Sequence, residues 1–133
     1  MRLRFLLDTS VVLRYFLDSR KLARTHERIL DEAMKRCEQV ALSAITQLEI
    51  ARLLGPGSRR VRGTAGDFLK ELSNSEMFQI LPITFEIATE FAALTTLRDP
   101  ADRTIVATAR VHKLYLLTSD VQIIDSGLAD VVE

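Results

Sequence analysis

A handful of carboxylates stand where the local pattern gives them more than a solvent-facing role. Asp8 closes the apolar run LRFLL, and Asp120 follows the apolar run LYLL after Thr118 and Ser119. Sites of parallel α/β sheets form beyond the carboxyl ends of such strands, so both acids would share one edge if the two strands are neighbours. Either one alone is equally well explained as a helix N-cap or a turn aspartate. Glu49 lies in AITQLEIARLL, where a helical wheel of about 100° per residue puts it between Ile45 and Leu53 on an apolar stripe. A charge buried there requires a cation, strong hydrogen bonds or a raised pKa; the competing explanation is an arginine partner such as Arg52. In Asp99-Pro100-Ala101-Asp102, Asp99 suits the N-cap, Pro100 the first helical position and Asp102 the third position of a reciprocal capping arrangement. Capping accounts for Asp99, whereas Asp102 is also aimed from the first helical turn toward the edge shared by Asp8 and Asp120.

The combination says more than any member. Two carboxylates about 4 Å apart repel by about 4 kcal/mol at an effective dielectric of about 20, a heavy load for a marginally stable domain. A divalent cation removes that conflict. An all-oxygen donor set suits Mg²⁺ or Mn²⁺, whereas zinc would draw on His or Cys at spacings this chain lacks. Cys37 is the single cysteine, which excludes an intrachain disulfide and a cysteine cluster; it is expected to be a small buried hydrophobe. His26 and His112 fall on helices far apart in sequence and are expected to be plain core or surface histidines.

The elements that must position these acids can be read from periodicity. LRFLL at 3–7 is a strand followed by a turn and the helical VVLRYFL. Residues 21–37 carry an amphipathic helical stripe, 39–42 a short strand, and Ser43 caps a helix that stops at Gly55-Pro56-Gly57. Residues 64–73 read as helix, 77–83 as strand, and Thr84 caps a helix through FEIATEFAALTTL. Residues 100–112 form a helix, 114–118 an almost wholly apolar strand, with a short strand to follow near 129–132. Alternating strands and helices, with several strands apolar throughout, predict an α/β protein with a parallel sheet covered on both faces.

Length and composition set the frame. The 133 residues, 47% hydrophobic and 27% charged, correspond to one soluble domain spanning 1–133. Low-complexity and collagen-like material is excluded by five glycines and three prolines. No apolar window is long enough for a membrane span, and the start offers too short an apolar run for a signal peptide, so no membrane association and a cytoplasmic location are expected. Eighteen basic and eighteen acidic residues balance, which excludes the strongly basic footprint of a generic nucleic-acid binder. Positive charge nevertheless leans early and negative charge late, as in a protein with a polyanion-binding face beside an acidic site. Arg59, Arg60 and Arg62, in the glycine-bounded GPGSRRVRG, are candidates for holding a phosphate backbone, with a solvated loop as the alternative.

Three blocks, LLDTSVV, ALSAITQLEIARLL and RDPADRTIVATARVHKLYLLTSD, together resemble the PIN-domain ribonucleases, and especially the VapC-type toxins of type II toxin–antitoxin pairs. The likeness spans residues 3–125, and the third block is its most specific part. It implies a three-layer α/β/α sandwich with a mainly parallel sheet. It also implies a Mg²⁺- or Mn²⁺-dependent endoribonuclease that cleaves RNA to inhibit translation and growth, with Asp8, Glu49, Asp102 and Asp120 as metal-binding and catalytic acids. Ser10 and Thr118 match supporting hydroxyl positions, and Asp99 a supporting acid at a variable place. Homodimerisation and inhibition by a cognate antitoxin are further implications. The alternative is a PIN fold that binds RNA or regulates without catalysis. Acidic pockets also occur in haloacid-dehalogenase phosphatases and receiver domains. The former want an aspartate two residues after the first, where this chain has Ser10; the latter want paired acids after the first strand and a lysine after the last, and neither is present.

Overall fold

The computed structural model describes residues 2–55 and 64–133; Arg59, Arg60 and Arg62 lie outside them. The described chain runs β1 (Phe5–Leu7), α1 (Thr9–Leu17), α2 (Arg24–Lys35), β2 (Val40–Ser43), α3 (Ala44–Leu53), α4 (Ala65–Asn74) and β3 (Phe78–Leu81). It continues through α5 (Phe85–Ala93), α6 (Pro100–His112), β4 (Tyr115–Leu117), α7 (Val121–Ser126) and β5 (Val131–Val132). The strands form one parallel sheet in the order β3-β2-β1-β4-β5. This is the α/β architecture expected.

Strand residues alternate between two cores, as the two-residue period of a pleated strand requires. Leu7, Leu42 and Leu117 pack on one face with Val11, Val12, Leu30, Ile50 and Leu72, joining the sheet to α1, α2, α3 and α4. Leu6, Ala41 and Leu116 pack on the other with Ile87, Ile105, Val106 and Ile123, joining it to α5, α6 and α7. Both faces are therefore sealed, and only the strand ends are left for a site. His26 is fully buried, and its Nε2 lies 2.6 Å from the Val132 carbonyl oxygen, fastening α2 to the last strand.

The chain proceeds outward from β1 through β2 to β3 and then returns to place β4 on the other side of β1. The order reverses at β1 and β4, and in open α/β sheets the crevice beyond such a switch point is where ligands bind. Register pairs Leu7 with Leu117, so Asp8 and Thr118 emerge side by side.

Cys37 corrects one expectation. It is exposed, not buried, and takes a left-handed conformation with φ 54°. It stands just past α2, where the Cys37 N–H donates to the Met34 carbonyl and the Glu38 N–H to the Ala33 carbonyl. This pair of bonds terminates helices and favours glycine at the left-handed position. A non-glycine residue there carries steric strain of about 1 kcal/mol, so Cys37→Gly is expected to raise unfolding stability by about 1 kcal/mol in urea titration. An unchanged or lowered midpoint would show that the strain is absent.

Candidate active site at the carboxyl ends of β1 and β4

One cleft of about 360 Å³ is lined by Asp8, Glu49, Asp102 and Asp120 together with Thr9, Ser10 and Arg14. Four acids separated by up to 112 positions in the chain thus reach the same space. Each arrives on a different element, and local chemistry accounts for each placement.

Asp8 is the N-cap of α1 and is only 5% exposed. Its Oδ1 accepts from the Thr9 N–H at 2.8 Å, and its Oδ2 accepts from the Thr118 hydroxyl at 2.7 Å. Thr118, itself fully buried, also accepts from the Asp120 N–H at 3.0 Å. One hydroxyl thus holds the acid of β1 and the segment carrying the acid of β4. Asp120 caps α7, its Oδ1 accepting from the N–H groups of Gln122 and Ile123.

Asp99 caps α6, its Oδ2 accepting from the Asp102 N–H at 2.9 Å, with Pro100 at the start of the helix. The reciprocal half of the expected capping arrangement is not seen among the described residues. The Asp102 carboxylate lines the acidic cleft instead. Asp99 does not line that cleft; it lines a neighbouring one.

Glu49 sits partly exposed at the cleft wall, and the core-facing residues of α3 are Thr46 and Ile50. Of the stripe Ile45, Glu49 and Leu53, the last two therefore line the cleft, while Ile45 packs against the core. Arg52 pairs with Glu49 at 3.1 Å, as the arginine-partner explanation expected, with its own side chain mostly exposed. An ion pair of this kind, with one partner in solvent, contributes little stability.

The periodicity gave no sign of the hydroxyl pair Thr9 and Thr46, which lie 3.0 Å apart and fully join the β1–α1 turn to α3. Nor did it point to Arg14 and Lys21, whose side chains bring positive charge to the rim of the cleft. Lys21 there pairs with Asp18 at 3.5 Å.

Electrostatics mark the cleft as a place of crowded negative charge. Burial pushes the Asp8 carboxyl up, its bonds from Thr118 and Thr9 oppose that, and the charges of Asp120 and Glu49 add to the rise. Asp102 is pushed up to about 7, first by burial and then by the charges of Asp8, Asp99, Asp120 and Glu49. Among the described residues, no three His, Cys, Asp or Glu side chains stand close enough to enclose an ion as placed. The acids are spread around the cleft, the arrangement that uncompensated like charges favour. The donor set is nevertheless that of a hard cation. Asp102 makes no side-chain hydrogen bond with a described residue, Asp120 Oδ2 and Glu49 Oε1 are likewise uncommitted, and Asp8 keeps a second lone pair on each oxygen. All-carboxylate oxygen fits Mg²⁺ or Mn²⁺ and does not fit zinc.

A stability consequence follows. The unfolded Asp102 carboxyl ionises near pH 3.9, whereas the folded one keeps its proton up to about 7. Between those values the folded state binds more protons, so stability is fully present below about pH 4 and falls as pH rises through 7. After allowance for solvent screening the loss is on the order of 1–2 kcal/mol. In the absence of divalent cations, Asp102→Asn is expected to flatten that fall and to be the more stable protein at pH 8. Urea midpoints measured from pH 4 to 8 check this, and parallel curves for the two proteins would contradict it.

Comparison with known proteins agrees with this architecture. The PIN domain family model matches residues 5–126, and the chain belongs to that family. FitAcB from Neisseria gonorrhoeae is 26% identical and superposes with a TM-score of 0.66 over 97% of this chain and 96% of that one. VapC20 of Mycobacterium tuberculosis, described as a toxin that cleaves the sarcin-ricin loop, is 17% identical, with a TM-score of 0.67 over 97% and 99%. DNA-bound VapBC from Salmonella typhimurium is 16% identical, with a TM-score of 0.67 over 98% and 97%. No curated protein sequence matches the chain. The PIN-domain resemblance read from the three sequence blocks is borne out, and the solved VapC and VapBC structures share its fold.

Proposed function

We propose that the protein is a divalent-metal-dependent endoribonuclease, the toxin of a toxin–antitoxin pair, built as one domain over residues 1–133. The observation that carries this reading is the convergence of Asp8, Glu49, Asp102 and Asp120 on one cleft at the switch point of the sheet. Membership of the PIN family and the likeness to VapC20, a toxin of known structure, support it.

Mg²⁺ or Mn²⁺ held by these four acids would supply an activated water and neutralise charge on the phosphate during in-line displacement. The chain's own part is positioning. Thr118 fixes the Asp8 carboxylate by donating to Oδ2, and each carboxylate oxygen keeps a second lone pair free. Asp99 and the first turn of α6 hold the backbone of Asp102, so that its carboxylate faces the cleft. Ser10 at the cleft wall and Arg14 at its rim offer donors to phosphate oxygens, which approach an otherwise repulsive acidic surface. Arg59, Arg60 and Arg62 remain candidates for more distant phosphates.

Homodimerisation and capture by a cognate antitoxin are part of the same proposal. Solved structures of the same fold include a toxin-antitoxin complex from Klebsiella pneumoniae and VapBC-5 of Mycobacterium tuberculosis, a member of the VapBC family of toxin-antitoxin systems, which supports an antitoxin partner. Among the described residues no helix is long and apolar enough to cross a membrane.

The spread of the acids, none grouped closely enough to enclose an ion, favours the second reading of a PIN fold that binds RNA without cutting it. The two separate in one assay. Incubated with structured RNAs, the wild-type protein is expected to produce discrete fragments with Mg²⁺ or Mn²⁺ and none with a chelator. RNA that is bound yet stays intact with either metal would establish the silent module.

A further inference from the structure

A second cleft, about 830 Å³, lies beside the acidic one, between the α5–α6 loop and α7; Arg98, Asp99, Gln122 and Asp125 line it. Among the described residues none lines both clefts, but two capping bonds link their linings. Asp99 of the second holds the backbone of Asp102 of the first, and Asp120 of the first holds the backbone of Gln122 of the second. A single strand laid across the carboxylates therefore passes its neighbouring nucleotide over this second space.

The lining is suited to a base and not to a phosphate. Arg98 is opposed by Asp99 and Asp125, so the cleft has no surplus positive charge with which to attract the backbone. The side chains of Arg98, Gln122 and Asp125 are exposed and make no hydrogen bond or ion pair with another described residue. Ser126 is different, since its hydroxyl already donates to the Ile123 carbonyl and accepts from the Leu128 N–H. An uncommitted guanidinium and the uncommitted Asp125 carboxylate lining one cleft can serve different edges of one base. Guanine presents the O6 and N7 acceptors that arginine reads in pairs, and its N1–H and N2–H donors suit a carboxylate. Adenine puts a donor where the guanidinium needs an acceptor, and the pyrimidines offer only a single such edge. Unstacked bases of single-stranded RNA are read in this way.

We propose that this cleft is a base-binding subsite that selects guanine in the nucleotide next to the cleaved bond, with Arg98 and Asp125 as its specificity residues. The inference rests on the nuclease reading, because it takes the RNA strand through the acidic cleft.

The test titrates the full-length protein with GMP, AMP, CMP and UMP and follows backbone amide shifts. GMP is expected to bind about tenfold more tightly than the others, as one good paired contact allows, with shifts concentrated at Arg98, Gln122 and Ser126. Arg98→Ala and Asp125→Ala should each bring GMP to the level of AMP while leaving the melting-temperature rise with Mn²⁺ unchanged. Equal binding of all four nucleotides, or a guanine preference that survives both substitutions, would overturn the subsite. Stabilisation by Mn²⁺ without guanine preference overturns the subsite alone. Guanine preference without any Mn²⁺ effect removes the nuclease reading and, with it, the placement of the subsite beside a cleaved bond, and leaves guanine recognition at this cleft alone.

Discussion

Asp8→Asn is expected to lower the rate of metal-dependent RNA cleavage by roughly 10²- to 10³-fold, the loss typical when one charged or dipolar group of a preorganised site is removed. Asparagine keeps the size of the side chain and an acceptor for the Thr9 N–H. Its amide can also face the Thr118 hydroxyl, which rotates to suit. What disappears is the charge, and with it one anchor for the cation. The buried position of Asp8 sharpens the expectation, because in a site this shielded a lost charge is not made good by water. Fragment yield per unit time on a single RNA checks the effect, with far-ultraviolet circular dichroism confirming the fold. A folded variant that cleaves within a few-fold of wild type would show that Asp8 is a cap and no more.

The second large effect is on stability. Leu116 is fully buried at the centre of β4, packed with Leu6, Ile105 and Ile123, and its truncation to alanine leaves a cavity that α6 and the sheet cannot close. Leu116→Ala is expected to destabilise by about 3 kcal/mol, the middle of the range for buried leucines, and to lower the melting temperature by about 10 °C. Its effect on the site is indirect. β4 carries Thr118 and Asp120 two and four residues further on, so loosening the strand loosens both. Cleavage at low temperature should fall far less than for Asp8→Asn. A destabilisation below about 1 kcal/mol would mean that the core repacks around the gap.

The sequence was most informative where local signals and burial agree. α6 begins at Pro100 and ends at His112 as the capping residues require, and LYLL and LRFLL could be little other than inner strands of a parallel sheet. The acids at their ends were legible for the same reason. α2 starts only at Arg24 because Ser19–Lys21 forms a tight 3-10 turn first, which helical periodicity does not distinguish from an early α-turn. β3 stops at Leu81, since Pro82 has no N–H to continue a ladder. α7 is six residues long, too short for a 3.6-residue period to show, although Asp120 as its cap was a signal at hand. Cys37 was misplaced because hydrophobicity says nothing about the left-handed turn past a helix. The Thr9–Thr46 contact joins residues 37 apart, and no local pattern carries such a pairing. Glu49 shows the limit most clearly. Of its apolar neighbours on the helical wheel, Leu53 lines the cleft and Ile45 packs against the core, and only the packing of α3 against the sheet decides where that line falls.

Four acids that crowd one cleft and repel one another should be relieved by a divalent cation. That relief is tested most directly by the melting temperature of the wild-type protein, Asp8→Asn and Asp102→Asn, each with and without Mn²⁺. Ligand linkage predicts that wild type gains about 2.7 kcal/mol when Mn²⁺ is a hundredfold above its dissociation constant. The two variants should gain little, and Asp102→Asn should melt no lower than wild type without the metal. If Mn²⁺ leaves wild type unmoved and both variants simply melt earlier, the acids are caps and ion pairs, and the account of a metal-dependent nuclease is wrong.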